Sequence, residues 1–287
     1  MKLLKKEIDK NIADFLTYCI DVREFSENTI ISYRTDLVQF NKFLEGNILK
    51  ATATDIGQWV KDFGSATKSR KIASLKTFFD WASGVSKLVS ENVAKNMISP
   101  KIPVRQMNFV RKDEYLSVEK TLDDRNYRYN NRDKMMFDIM YNCGLRVSEV
   151  VSLNADLFNF VNNTFYVIGK GNKERKCYMN KTVVESIKTW LEDREKILAS
   201  DGRISKALLI TKTSERISIR GAQKIVESLA KTNAHAFRHG FCSELASKGV
   251  NLAYIATAAG HASTNTTRRY VHTNDEAMAD MVALLNA

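Results

Sequence analysis

Apolar residues recur at intervals of three and four through the first hundred positions. Ile8, Ile12, Phe15, Leu16 and Cys19 fall on one side of a helix. Ile30, Tyr33, Leu37, Phe40, Phe43 and Leu44 form a second stripe, with Ser26 or Asn28 placed to cap it. A short third helix is predicted from Thr54 through Ile56, Trp59 and Val60. A fourth, from Ser65, sets Ile72, Leu75, Phe78, Phe79 and Trp81 along one side. The aromatic-rich stripe of the fourth helix reads as core. The other side of the fourth helix carries Lys68, Arg70, Lys71 and Lys76, which suit either a solvated face or a surface turned to a polyanion.

The pattern breaks at Ile98–Gln106, which holds both prolines of the chain, Pro100 and Pro103. Proline disfavours helix for itself and for the residue before it. Residues 100–107 are therefore expected to link a helical lobe, 1–99, to a second lobe, 108–287. In the second lobe a helix is predicted from Arg132 to Asn142. Two β-prone runs then flank a Gly/Asn turn: Thr164–Ile168 and Arg175–Met179 around Gly169–Glu174, the pattern of a β-hairpin. Ala207–Ile210 is a candidate third strand. Helices are expected at 180–198, 219–230, 234–248, 251–258 and 275–285. The fold class is mainly α with a small antiparallel β-sheet.

Composition narrows the picture. A chain of 287 residues, 44% hydrophobic, is long enough for two domains with real cores. Residues 1–107 carry 17 Lys and Arg against 12 Asp and Glu, and residues 108–287 carry 27 against 21, so the two parts are +5 and +6 of the total +11. Two basic lobes suit a nucleic acid held between them, although charge alone also fits a generic basic protein. Cys19, Cys143, Cys177 and Cys242 make no C-x-x-C pair and join no Cys/His cluster of zinc spacing, so no metal or cofactor is expected. They read as thiols in a reducing compartment. The first fifteen residues have charges inside their apolar run, unlike a signal peptide. No stretch of 18 apolar residues occurs, so the expectation is a cytoplasmic protein with no membrane segment.

Four segments hold residues suited to phosphodiester chemistry. Cleavage requires a nucleophile, cations for the non-bridging oxygens, and an acid for the leaving oxygen. Arginine suits the second role because its planar fork grips phosphate bidentately and stays charged. In Cys143-Gly-Leu-Arg146-Val-Ser-Glu149, Gly144 breaks a helix and Arg146 is expected in the first turn of the next, where backbone N–H groups favour an anion. Arg146 also lies three residues from Glu149, the spacing of an ordinary surface ion pair. Gly169-Lys170-Gly-Asn-Lys173 puts lysines at a hairpin tip. His235 and Arg238 share one helix face in His235-Ala-Phe-Arg238-His239. Gly260-His261 precedes Thr267-Arg-Arg-Tyr270 by a few residues. Each alone fits an unremarkable structural role; order and spacing give them weight.

That series resembles the tyrosine recombinases, and most closely the Xer-like branch. GLRVSEVVSLNADLF, VIGKGNKERK, AHAFRHGFCSEL and AGHASTNTTRRYVH are similar to its four catalytic motifs. Separations of 24 residues from Arg146 to Lys170, 23 from Arg238 to His261 and nine from His261 to Tyr270 agree. SENTIISYRTDLVQFNKFL and SRKIASLKTFFDWA resemble the family's N-terminal domain. The resemblance implies a two-domain architecture: a helical, SAM-like core-binding domain over 1–99 and an α+β catalytic domain over 108–287 ending in a tail helix.

The resemblance also implies roles. Tyr270 is the nucleophile, forming a 3′-phosphotyrosyl bond. Arg146 and Arg238 clamp the phosphate, and Lys170 protonates the leaving 5′-oxygen. His235 assists proton transfer and His261 hydrogen-bonds a phosphate oxygen. Lys170 is preferred to Lys173 by alignment with the family's G-K-G; Lys173, with Lys68, Arg70 and Lys71, is a candidate DNA contact. His239 reads as structural, and Glu149 either orients a catalytic group or pairs with Arg146. Implied partners are double-stranded DNA with a specific recombination site, and either a homo-tetramer on DNA or a paralogous recombinase. Neither metal nor ATP is implied. Ala258-Ala259 stands where the family commonly has Leu-Leu or Leu before Gly-His, trimming an apolar contact. Two further readings share these motifs: a type IB topoisomerase-like relaxation without strand exchange, and a DNA-binding protein without catalysis.

Overall fold

The structure is a computed structural model that describes residues 8–100, 108–169 and 174–260. The chain divides into two compact units, Met1–Arg105 and Gln106–Ala287.

Among the described residues the first unit packs four α-helices: α1 (Lys10–Asp21), α2 (Glu27–Phe43), α3 (Ala53–Val60) and α4 (Ser65–Asp80). Side chains fix where they start. The Asp9 carboxylate accepts from the backbone N–H groups of Asn11 and Ile12, Ser26 rather than Asn28 caps α2, and Thr52 with Asp55 closes a reciprocal cap on α3. Helix α3 thus begins at Ala53, one residue ahead of the expected start. The core of the unit holds most of the predicted stripes: Ile12, Phe15, Leu16, Cys19, Leu37, Phe40, Ile56, Leu75, Phe78 and Phe79 are all fully buried, whereas Phe43, at the end of α2, is exposed. Phe15 centres it, 5.3 Å edge-on from Phe78 and 5.5 Å from Trp81.

One residue of α4 departs from expectation. Lys71 is 2% exposed, so it is not the surface DNA contact predicted for it. Its amine donates to Asp36 Oδ1 at 3.2 Å and Gln39 Oε1 at 2.7 Å, and lies 4.1 Å from the centre of the Trp59 ring. An ion pair beneath an aromatic lid lets lysine occupy a core position. Arg70 is exposed, bonded to the buried Asp36 and to Ser32 Oγ. Lys68 is half-buried.

The second unit is built around α6 (Asn130–Asn142), in which Met135, Met136, Phe137, Ile139 and Met140 are all buried. No residue of α6 is exposed, which marks it as the central helix. Helices α5 (Lys112–Asp123), α8 (Lys181–Asp201) and α10 (Ala234–Ser247) pack on it, with Phe137 and Phe237 rings 5.0 Å apart. Short α7 (Val147–Ser152) contacts α9 (Ile219–Ala230), and α11 (Leu252–Ala259) rests on α10. The hairpin forms as predicted in outline: β1 (Thr164–Ile168) pairs antiparallel with β2 (Glu174–Tyr178), Val167 opposite Arg175 and Phe165 opposite Cys177.

The expected third strand does not form. Ala207 and Ile210 make only isolated bridges, to Asn154 and Arg216. Side chains have taken the carbonyls a neighbouring strand would use: Arg194 Nε bonds Ala207 O, Trp190 Nε1 bonds Leu208 O, and Arg132 Nη1 bonds Ile210 O. Among the described residues no helix is long and apolar enough to cross a membrane. All four cysteines are buried, and none forms a disulfide. The tail helix expected at 275–285 lies outside the described residues.

Candidate active site

The site assembles around one turn. Helix α6 ends at Asn142, and Gly144 follows with φ +64°, a left-handed conformation that glycine adopts at little cost. An added Cβ there would stand 2.4 Å from the Phe241 ring, so Gly144 also lets α10 approach. The turn delivers Arg146 as the cap residue of α7, one position before the first turn expected for it. Its backbone N–H is no free anion donor, because Glu149 Oε2 accepts from it at 2.9 Å. Its guanidinium donates to Glu149 Oε1 at 2.8 Å and to Gly260 O at 3.4 Å, and the side chain is 30% exposed.

Arg238 comes from α10 and is 3% exposed. Nη1 donates to the Gly144 carbonyl at 2.8 Å and lies 3.9 Å from Glu149 Oε2. Nη2 is buried with no acceptor among the described residues. Burial, aided by the charge of Arg146, depresses the Arg238 pKa to about 10, so the group stays protonated at neutral pH. A buried donor with no acceptor among the described residues, in one cluster with a second guanidinium, is suited to an anion.

The sequence did not single out Arg175. On β2 it pairs Glu149 bidentately, Nη1 to Oε1 at 3.1 Å and Nη2 to Oε2 at 2.9 Å, while Nε donates to Ala258 O at 3.3 Å. Gly260, at φ +62°, leaves room for the guanidinium: a Cβ there would sit 3.0 Å from Nη1. A signal was present in the strand pattern. Arg175 shares the inward side of β2 with buried Cys177 and faces buried Val167, so an arginine stands where alternation calls for an apolar residue.

Burial would raise the Glu149 carboxyl, yet hydrogen bonds from Arg175 and from the Arg146 backbone outweigh it and hold the group below the usual carboxylate range. Burial also opposes the charge on Arg175, and the Glu149 hydrogen bond overcomes it, raising that pKa. His235, at the start of α10, is lowered by desolvation and by the charges of Arg238 and Arg146. His239 is lowered further, to about 4, by burial and then by His235 and Arg238. Both imidazoles are therefore neutral at neutral pH.

Arg146 and Arg238 are thus brought to one carboxylate, and His235 lies within the field of both. Lys170, Lys173, His261 and Tyr270 lie outside the described residues. The described chain nevertheless reaches both sides of the first pair, at Gly169 and Glu174, and runs to Gly260 beside Arg146 and Arg175.

Comparison with known proteins agrees with this geometry. Residues 108–277 match the Phage integrase family, and residues 12–84 match the Phage integrase, N-terminal SAM-like domain. The chain is 29% identical to tyrosine recombinase XerC of Caldanaerobacter subterraneus subsp. tengcongensis, across 94% of this chain and 85% of the relative. It is 28% identical to tyrosine recombinase XerC of Staphylococcus aureus strain USA300, across 88% and 89%. Among solved structures, XerH site-specific recombinase bound to palindromic difH substrate superposes with TM-score 0.71 at 19% identity, covering 96% of this chain and 85% of that one. The Tn1549 transposon integrase in complex with transposon right end DNA superposes with TM-score 0.72 at 16% identity, covering 96% and 99%. These two share the fold. The chain belongs to the phage integrase family and is a Xer-like tyrosine recombinase, an enzyme of the site-specific DNA recombinase type.

Proposed function

We propose that this chain cleaves and rejoins double-stranded DNA at a specific recombination site through a 3′-phosphotyrosyl intermediate. The observation that carries this reading is the buried Nη2 of Arg238, unpartnered among the described residues, in one cluster with Arg146. Two guanidiniums around one carboxylate supply the positive charge that a phosphodiester requires as it gains a second negative charge.

In this reading Tyr270 attacks the scissile phosphorus while Arg146 and Arg238 hold its non-bridging oxygens. His261 bonds one of those oxygens. Neutral His235 accepts a proton during the attack, and Lys170 donates one to the departing 5′-oxygen. The tyrosyl ester retains the energy of the broken bond, so a 5′-hydroxyl of a partner strand reverses the step without ATP. The reading includes no metal. Lys68, Arg70 and Lys173 contact the DNA backbone. Exchange takes place in a tetramer on two sites, formed by this chain alone or with a paralogous recombinase. Support comes from the relatives: XerH is seen on difH substrate and the Tn1549 integrase on transposon end DNA.

The test is covalent capture. Protein is incubated with fragmented genomic DNA, denatured, and the attached DNA sequenced. The reading expects attachment through protein to 3′ ends at a recurrent sequence; absence of attached DNA, or attachment scattered over unrelated sequences, contradicts it.

A further inference from the structure

An ionised carboxylate beside two phosphate-binding arginines is a chemical problem. Carboxylate and phosphate compete for the same guanidinium edge. Glu149 is 5% exposed and already takes Arg146 Nη1. With no other partner its oxygens would also draw in Arg238, whose Nη1 lies 3.9 Å away.

Arg175 prevents this. It occupies both Glu149 oxygens from the side of β2, and each of its three nitrogens has an acceptor within the protein. It is 13% exposed in its side chain, against 30% for Arg146, so it is turned inward rather than toward substrate. It also contacts the end of α11, with Ala258 O and against Gly260. One side chain therefore joins β2, the arginine cluster and the residues that precede His261.

We propose that Arg175 is a positioning residue: it neutralises Glu149 so that Arg146 and Arg238 keep N–H groups free for the scissile phosphate. The inference rests on the reaction proposed above. Arg175 acts through Glu149 and does not itself touch DNA.

The experiment measures single-turnover adduct formation, affinity for intact site DNA, and thermal midpoint, for wild type, Arg175→Ala, Arg175→Lys and each combined with Glu149→Gln. Arg175→Ala is expected to slow adduct formation roughly tenfold or more, the scale of misplacing catalytic groups, while DNA affinity stays within about threefold. Arg175→Lys keeps the charge but cannot span both oxygens, and is expected to fall between. The decisive readout is the second substitution. Glu149→Gln removes the competing charge, so it is expected to speed either Arg175 variant several-fold although it gives no gain in wild type. A residue that only supports packing would make the double variants slower than the singles. That outcome overturns the proposal, as does a wild-type rate in Arg175→Ala with an unchanged midpoint. If Arg175→Ala fails to fold, the Arg175→Lys pair decides by the same comparison. Failure of wild type to form any adduct would instead strike at the reaction itself, a separately visible result.

Discussion

Arg238 Nη1 donates to the carbonyl oxygen of Gly144 at 2.8 Å, tying α10 to the turn that presents Arg146. The two arginines are 92 positions apart in the chain, yet one backbone atom sets their relation. The carbonyl is available because Gly144 turns left-handed directly after α6.

Gly144→Ala is expected to damage both stability and cleavage. A left-handed conformation costs a non-glycine residue roughly 1–2 kcal/mol, and the new methyl must also displace the Phe241 ring. Urea denaturation should show a loss of at least about 2 kcal/mol, with adduct formation slowed more than DNA binding is weakened. Wild-type stability in Gly144→Ala would mean the turn tolerates a side chain.

The buried pair in the first unit is expected to behave as core. Asp36→Ala leaves the Lys71 ammonium buried and stripped of its charged partner, at a cost of about 3–5 kcal/mol by denaturation. Lys71→Met should cost much less, because Asp36 keeps Arg70 and Ser74. Lys68→Ala, by contrast, should leave stability near wild type and weaken DNA binding, with a shallower dependence on salt. Equal salt slopes for wild type and Lys68→Ala would place that lysine away from DNA.

The low pKa of His239 links stability to pH. Its folded value of about 4 lies below the ordinary 6.5, so between these values the unfolded chain binds more protons. The stabilising contribution of neutral His239 is fully present above pH 6.5 and is lost as pH falls toward 4. Subtracting the denaturation curve of His239→Gln from that of wild type should therefore give a difference that shrinks across this window. A difference that is flat from pH 7 to pH 4 would contradict the assignment.

Much of this was legible in the chain. Helical stripes in the first unit were readable because most of their apolar residues face a single core, and Ser26 was a candidate cap for α2; Asp9 and Thr52 emerged as caps only in the structure. The i, i+3 spacing placed His235 and Arg238 on one helix. What escaped reading depends on contacts between distant segments. Lys71 looks like a surface residue until α3 brings Trp59 over it and α2 brings Asp36 beneath. Ala207–Ile210 has strand composition, but Arg132 and Arg194 claim its carbonyls from other helices. Arg175 sits in a motif whose lysine drew attention, and its partner Glu149 lies 26 residues earlier.

The two hairpin lysines are expected to separate by chemistry. Lys170→Ala should slow cleavage, whereas Lys173→Ala should chiefly weaken binding. A substrate with a 5′-bridging phosphorothiolate has a leaving group that needs no proton, so it should restore Lys170→Ala alone. Restoration of neither variant, or of both equally, would remove Lys170 from the acid role.

The central claim is that Tyr270 carries the covalent bond to DNA. The direct measurement is a nicked substrate containing the captured site, incubated with wild type or Tyr270→Phe, resolved on a denaturing gel and mapped by mass spectrometry. The account predicts an adduct on the peptide containing Tyr270 in wild type. It predicts no adduct in Tyr270→Phe, with site binding retained because the ring is unchanged. An adduct that persists in Tyr270→Phe, or one mapped to another residue, would contradict it.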